Sequence, residues 1–126
     1  MIDFLKILDM HDWNMPRQIQ TEGVSLAKEV EDITPFIQPL TPSHNKNVWD
    51  NCAIIIADRS DEELAPHLVE LMEWLQDMNW PGAIRIMRRL QEYSERDIIC
   101  KAINFSLEKA DLENNKVWEE NLRSIL

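Results

Sequence analysis

Glu63, His67 and Glu70 stand at i, i+4 and i+7. On one α-helix that spacing puts two carboxylates and an imidazole on a common face, the donor types that bind Zn²⁺. No H-E-x-x-H accompanies them, and Pro66 distorts any helix that carries it. The three therefore read first as a solvated acidic stripe. The alternative is a small helical enzyme or regulatory subunit with a cleft near Glu63, His67 and Glu70. His11 and His44 fall in sequences that read as turns, with no Ser, Cys or acid partner set beside them. Paired acids such as Glu62 with Glu63, or Glu119 with Glu120, do acid and base work only in a concave site that separates their pKa values. Adjacent acids on a helix usually face water. Cys52 and Cys100 form no C-x-x-C and sit in apolar helical surroundings, as buried free thiols do. These residues assemble no catalytic set, no metal site and no cofactor motif, so the expectation is a non-enzymatic chain that needs no cofactor.

Composition removes further classes. With only 2 Gly in 126 residues the chain cannot build a Walker loop, a G-x-G-x-x-G turn or a nucleophile elbow, each of which needs several positions without Cβ. Thirteen basic against 23 acidic side chains give a net charge of −10, which repels phosphate backbones and anionic lipid. Nucleic acid and membrane are not expected partners, even though Arg85, Arg88, Arg89 and Arg96 have helical spacing. No run of 18 apolar residues occurs, and residues 1–10 carry Asp3, Lys6 and Asp9 inside their apolar pattern, unlike a signal peptide. With two free thiols, the cytoplasm is the expected location.

The charges are segregated. Residues 57–80 hold Asp58, Asp61, Glu62, Glu63, Glu70, Glu73 and Asp77 against Arg59 alone, a local balance of −6. Residues 81–101 reverse it to +2. Either neighbouring helices exchange salt bridges across their faces, or an acidic face docks a basic protein. The second reading assigns partner binding to Asp61, Glu62, Glu63, Glu70, Glu73, Trp74, Asp77 and Trp80. A bacterial immunity protein neutralising a basic toxin is its concrete form. Trp49 and Trp118 lie amid apolar helical spacing and read as core, whereas Trp13, Trp74 and Trp80 stand at corners beside acids.

The elements that must position these residues are all helical. Asp12-Trp13-Asn14-Met15-Pro16 returns 65 residues later as Asp77-Met78-Asn79-Trp80-Pro81, and Asn47-Val48-Trp49-Asp50 returns 69 residues later as Lys116-Val117-Trp118-Glu119. Two words in the same order predict one domain over residues 1–126, built from internal repeats at 1–58 and 60–126. In the first repeat Ile2, Phe4, Leu5 and Leu8 form a lead helix. Pro16 opens a second with Ile19, Leu26, Ala27 and Val30 inward. Pro35, Pro39 and Pro42 then keep residues 33–40 short, and a helix follows from about residue 46 to 58. In the second, Ser60 and Glu63 form a capping box, Pro66 kinks the helix, and Pro81 starts another with Ala83, Ile84, Met87 and Leu90. Ser94 with Asp97 caps a third carrying Ile98, Ile99, Ala102, Ile103 and Leu107, and the last runs from residue 117 to 126. The fold class is all-α, an α-solenoid of duplicated repeats or a compact helical bundle.

The stretch Glu70-Leu71-Met72-Glu73-Trp74-Leu75-Gln76-Asp77-Met78-Asn79-Trp80-Pro81 resembles an uncharacterised, mainly bacterial family of short HEAT-like helical domains of unknown function. Trp118, in a short terminal helix, is similar to that family's late Trp. The N-terminal half matches only through the duplication. The resemblance implies a HEAT-like, α-solenoid-like fold and carries over no catalytic mechanism. Read physically, Asn79 is placed to N-cap a helix entered through Trp80 and Pro81. Asp77 then adds favourable charge, and Trp74 and Trp80 bracket the corner.

Overall fold

Turn chemistry decides where the helices begin and end. The computed structural model describes residues 4–39 and 46–126, and no strand occurs among them. Ile2, Leu40, Pro42 and His44 lie outside the described residues. The all-α expectation is met.

Helices α1 (Phe4–Met10) and α2 (Arg17–Ala27) meet at the corner expected from Asp12 to Pro16. Asp12 Oδ1 accepts the Asn14 N–H at 2.8 Å and the Asp12 carbonyl accepts the Met15 N–H at 2.9 Å. Pro16 stands just before the first helical residue. A Cβ on Gly23 would lie 2.7 Å from Met10 Cβ, so this glycine lets α1 and α2 close on one another. Past α2, the Arg59 guanidinium Nη2 donates to the carbonyls of Ala27 and Val30 at 3.0 and 2.6 Å, serving acceptors that the helix end leaves open.

A 3₁₀ turn at Thr34–Phe36, holding Pro35, and another at Lys46–Val48 lead into α3 (Trp49–Ala57). Trp49, Cys52, Ala53, Ile55 and Ile56 of α3 are buried. The capping box then forms as expected: Ser60 Oγ accepts the Glu63 N–H at 3.1 Å while Glu63 Oε1 accepts the Ser60 N–H at 3.4 Å. After α4 (Asp61–Leu64), Pro66 tightens Ala65–His67 into a 3₁₀ turn; α5 (Leu68–Met72) follows and passes into a second, Glu73–Gln76. Near these changes of pitch, two carbonyls are served from the far end of the chain. Trp118 Nε1 donates to Met72 O at 2.9 Å and Asn121 Nδ2 to Leu75 O at 2.7 Å.

The next corner repeats the bonds of the first: Asp77 Oδ1 accepts the Asn79 N–H at 2.8 Å and Asp77 O accepts the Trp80 N–H at 3.0 Å. Asn79 does not cap the helix. That position belongs to Gly82, at φ 84°, ahead of α6 (Ala83–Gln91). A Cβ at Gly82 would lie 2.7 Å from Ala53 Cβ, so α6 starts where only glycine lets it press against α3. Ser94 likewise does not cap α7 (Arg96–Leu112). Its N–H and hydroxyl both donate to Asp61 Oδ2, at 2.9 and 2.6 Å, and Glu95 precedes the helix. α7 closes in a Schellman motif with Asn114 at φ 54°: Asn115 N–H donates to Ala110 O at 2.8 Å and Asn114 N–H to Asp111 O at 3.1 Å. Asn115 Oδ1 then accepts the Trp118 N–H at 3.1 Å and caps α8 (Lys116–Arg123).

α1 packs on α2, α2 on α3, α3 on α6, α5 on α7 and α7 on α8. Leu8, Phe36, Ile56, Leu71, Trp74, Ile103 and Trp118 belong to one continuous core, so the two halves share their interior. They share their corners more closely than their helices, since the second half carries α7 where the first has its Pro-broken connector. Leu26, Ile84 and Ile98, expected inward, are exposed; Ala27, Ile86 and Ile99 occupy the buried faces beside them. Among the described residues no helix is long and apolar enough to cross a membrane.

Candidate functional site

Much of the acidic segment is engaged within the protein. Asp61 accepts both donors of Ser94 and also Arg89 Nη2 at 2.6 Å. The Ser94 bonds first, and then Arg89, hold its carboxyl at a pKa of about 2. Glu63 accepts Arg59 Nη1 at 3.0 Å, and that bond together with the capping box lowers its pKa. Glu70 Oε1 lies 3.0 Å from His67 Nδ1, and Glu73, almost fully buried, pairs with Lys109. Asp77 is exposed enough to meet solvent but its Oδ1 holds the Asn79 turn. Of the seven acids, Asp58 and Glu62 are exposed and make no side-chain bond among the described residues.

The tryptophans divide in the same way. Trp74 has no exposed surface and donates its N–H to Pro81 O at 2.9 Å. Trp74 therefore has no surface to offer a partner and ties the corner to the core, while the carboxylate of Glu73 is engaged by Lys109 of α7. Trp80 is half-buried, edge-on to Trp49 at 5.4 Å, with the Lys46 ammonium 5.4 Å from its ring centroid. Trp49 and Trp118 are core, as expected.

Glu63, His67 and Glu70 do not converge. The 3₁₀ turn at Ala65–His67 breaks the face they would share, and Glu63 turns back to Arg59 and Ser60. Among the described residues no three His, Cys, Asp or Glu gather closely enough to hold a metal ion. Both cysteines are free thiols; Cys52 is fully buried, which drives its pKa upward, and Cys100 is half-buried.

Two surface features stand apart from this internal wiring. A groove of about 620 Å³ runs between α3, the corner at 77–82 and α6, lined among others by Asp50, Trp80, Arg85, Arg88, Arg89 and Glu92. The second is a row on α7: Ile98, Phe105 and Leu112, spaced seven residues apart, are 39, 59 and 84% exposed. The opposite requirement, a core face, is met by Ile99, Ala102, Ile103, Ser106 and Ala110 of the same helix.

A family model described as Domain of unknown function (DUF5071) matches residues 40–123, about two thirds of the chain. The chain belongs to the DUF5071 family. Curated proteins and solved structures gave no match. The DUF5071 match contains the segment Glu70 to Pro81, the groove-forming helices α3 and α6, and α7 with its exposed row. Sequence reasoning missed that row because it assigned Ile98 to the core and left Phe105 and Leu112 unread. The signal was present, since three apolar residues at strict heptad spacing form a stripe of their own. The groove had no such signal, because its walls come from segments about thirty residues apart.

Proposed function

We infer that this DUF5071 chain is a non-enzymatic protein-binding module that docks a basic partner along α7. The observation that carries this reading is the exposed row Ile98, Phe105 and Leu112 on the longest helix. Residues at heptad spacing drift only about 20° per repeat, so the three make a nearly straight apolar ridge. Exposed apolar ridges with polar rims mark contact surfaces, and an aromatic such as Phe105 at the centre is a natural anchor.

The charges beside the row support a basic partner. Asp97, Glu108 and Asp111 on α7, with Glu113 just beyond it, outnumber Arg96 and Lys101, because Lys109 is held by Glu73. A partner with an apolar ridge edged by Lys and Arg matches both features, and a net charge of −10 speeds its approach. A cytoplasmic immunity protein that neutralises a basic toxin is the concrete form of this function. The matching turns at Asp12 and Asp77 support a duplicated, HEAT-like helical unit as its scaffold.

The test compares the intact chain with Phe105→Glu as bait in lysate of the native host, followed by titration with the purified candidate. A basic protein that salt releases and that loses tenfold or more in affinity for the variant, about 1.4 kcal/mol, supports the proposal. Equal binding by the variant overturns it. So does self-association of the intact chain that Phe105→Glu abolishes, because α7 would then be covered by a second copy.

A further inference from the structure

We propose that the groove between α3, the 77–82 corner and α6 binds a small organic oxyanion, a carboxylate or phosphate ester on an apolar body, held by Arg85 and Arg88 beside Arg89. The groove's volume, about 620 Å³, is that of a small-molecule site. Its chemistry runs against the rest of the molecule. In a chain with ten more acidic than basic side chains, Arg85 and Arg88 line the groove one helical turn apart and neither makes an ion pair. Like charges at that spacing repel, and Glu92, one turn beyond Arg88, does not bridge to it.

Arg89 supplies a fixed third guanidinium. Its Nη2 donates to Asp61 Oδ1 at 2.6 Å and to the Arg59 carbonyl at 2.8 Å, and its side chain is only 12% exposed. Nε and Nη1 make no bond within the protein, so an anchored fork remains available to an oxygen anion, the partner whose geometry a guanidinium matches. The start of α6 adds to this field. It has no side-chain cap and no acid in its first turn, whereas α4 carries Asp61, Glu62 and Glu63 in the same position.

The other walls restrict the ligand. Trp80, Met78 and Pro81 provide apolar surface for an organic body. Asp50 and Glu92 on the same groove repel a polyanion, which limits the ligand to one carboxylate or phosphate group. The groove residues are separate from the α7 row, so loss of one function leaves the other testable.

The experiment titrates benzoate, phenyl phosphate and inorganic phosphate into the full chain at low salt, read by calorimetry and by tryptophan fluorescence, in which Trp80 reports. Saturable binding of benzoate or phenyl phosphate at about 1 mM or tighter is expected, with inorganic phosphate weaker. Whichever of the two organic probes binds better decides between carboxylate and phosphate. The double variant Arg85→Gln with Arg88→Gln should lose at least tenfold in affinity at an unchanged denaturation midpoint, since both side chains are exposed and unbonded. Heats that stay linear to about 10 mM for all three probes would overturn the proposal, as would equal binding by the double variant or by inorganic phosphate.

Discussion

Trp118 reaches back 46 residues to hold Met72, its indole N–H donating to the Met72 carbonyl at 2.9 Å. The ring is fully buried and the carbonyl lies at the end of α5, just before the backbone tightens into a 3₁₀ turn. One side chain thus fills the core and satisfies a backbone acceptor.

Trp118→Ala should lower stability by ~3 to 5 kcal/mol, the cost of deleting a large buried ring. Trp118→Phe keeps much of the volume but leaves Met72 O unserved, at a cost of ~1 to 3 kcal/mol. Urea unfolding separates the two, and a wild-type midpoint for the alanine variant would contradict the packing described above.

Asp61 makes stability fall at low pH. Its folded pKa of about 2, set by Ser94 and then Arg89, lies below the unfolded value of about 3.9. The carboxylate therefore contributes its full stabilisation above about pH 4, and that contribution is lost as pH falls toward 2. Asp61→Asn should lower the midpoint at neutral pH and flatten the acid limb between about pH 4 and 2. Denaturant midpoints across that range provide the check.

His11 acts in a different window. The ring is fully buried and stacked on Phe36 at 5.8 Å; Nδ1 donates to Ile7 O at 2.7 Å, and Nε2 has no partner. Burial lowers its pKa, outweighing the opposing effect of the Ile7 bond. As pH drops through about 6.5 the unfolded chain takes up the proton first, so stability is greatest above that pH and declines below it. His11→Phe should abolish the histidine's share of the slope between about pH 7 and 5. An unchanged slope would mean that the ring is protonated in the folded chain as readily as in the unfolded one.

Gly82→Ala should destabilise by more than ~1 kcal/mol, because the residue sits at φ 84° and the added Cβ would lie 2.7 Å from Ala53 Cβ and 3.0 Å from Trp49 O. Thermal unfolding measures it. A variant as stable as the parent would mean that α6 starts elsewhere in solution.

Local chemistry made the elements legible and distant chemistry did not. The Ser60–Glu63 box and the break at Pro66 were readable because each depends on residues within one or two turns. The corner words at Asp12 and Asp77 also announced their turns correctly. Asn79 failed as a cap because the chain makes further turns after it, Trp80 N–H to Asp77 O and Ala83 N–H to Trp80 O, and α6 starts only past Gly82. Ser94 failed because Asp61, 33 residues away, takes both of its donors. The acidic stretch looked like a free surface for the same reason: Arg89 and Lys109, which neutralise Asp61 and Glu73, come from other helices. Periodicity identified a core face on α7 but not the second stripe beside it.

Arg59 carries one more implication. It lies inside the span that defines DUF5071, yet its guanidinium is 9% exposed and ends on Ala27 and Val30, both outside that span. A polypeptide trimmed to residues 40–126 would keep the buried cation and lose both acceptors, and the face of α3 that packs on α2 would meet water. The border of family resemblance therefore cuts through the hydrophobic core, which holds Ala27, Val30 and Phe36 on one side of it and Ile55, Leu71 and Trp118 on the other. A piece that keeps both acceptors of Arg59 must extend upstream through α2, beyond the residues that the family model matches.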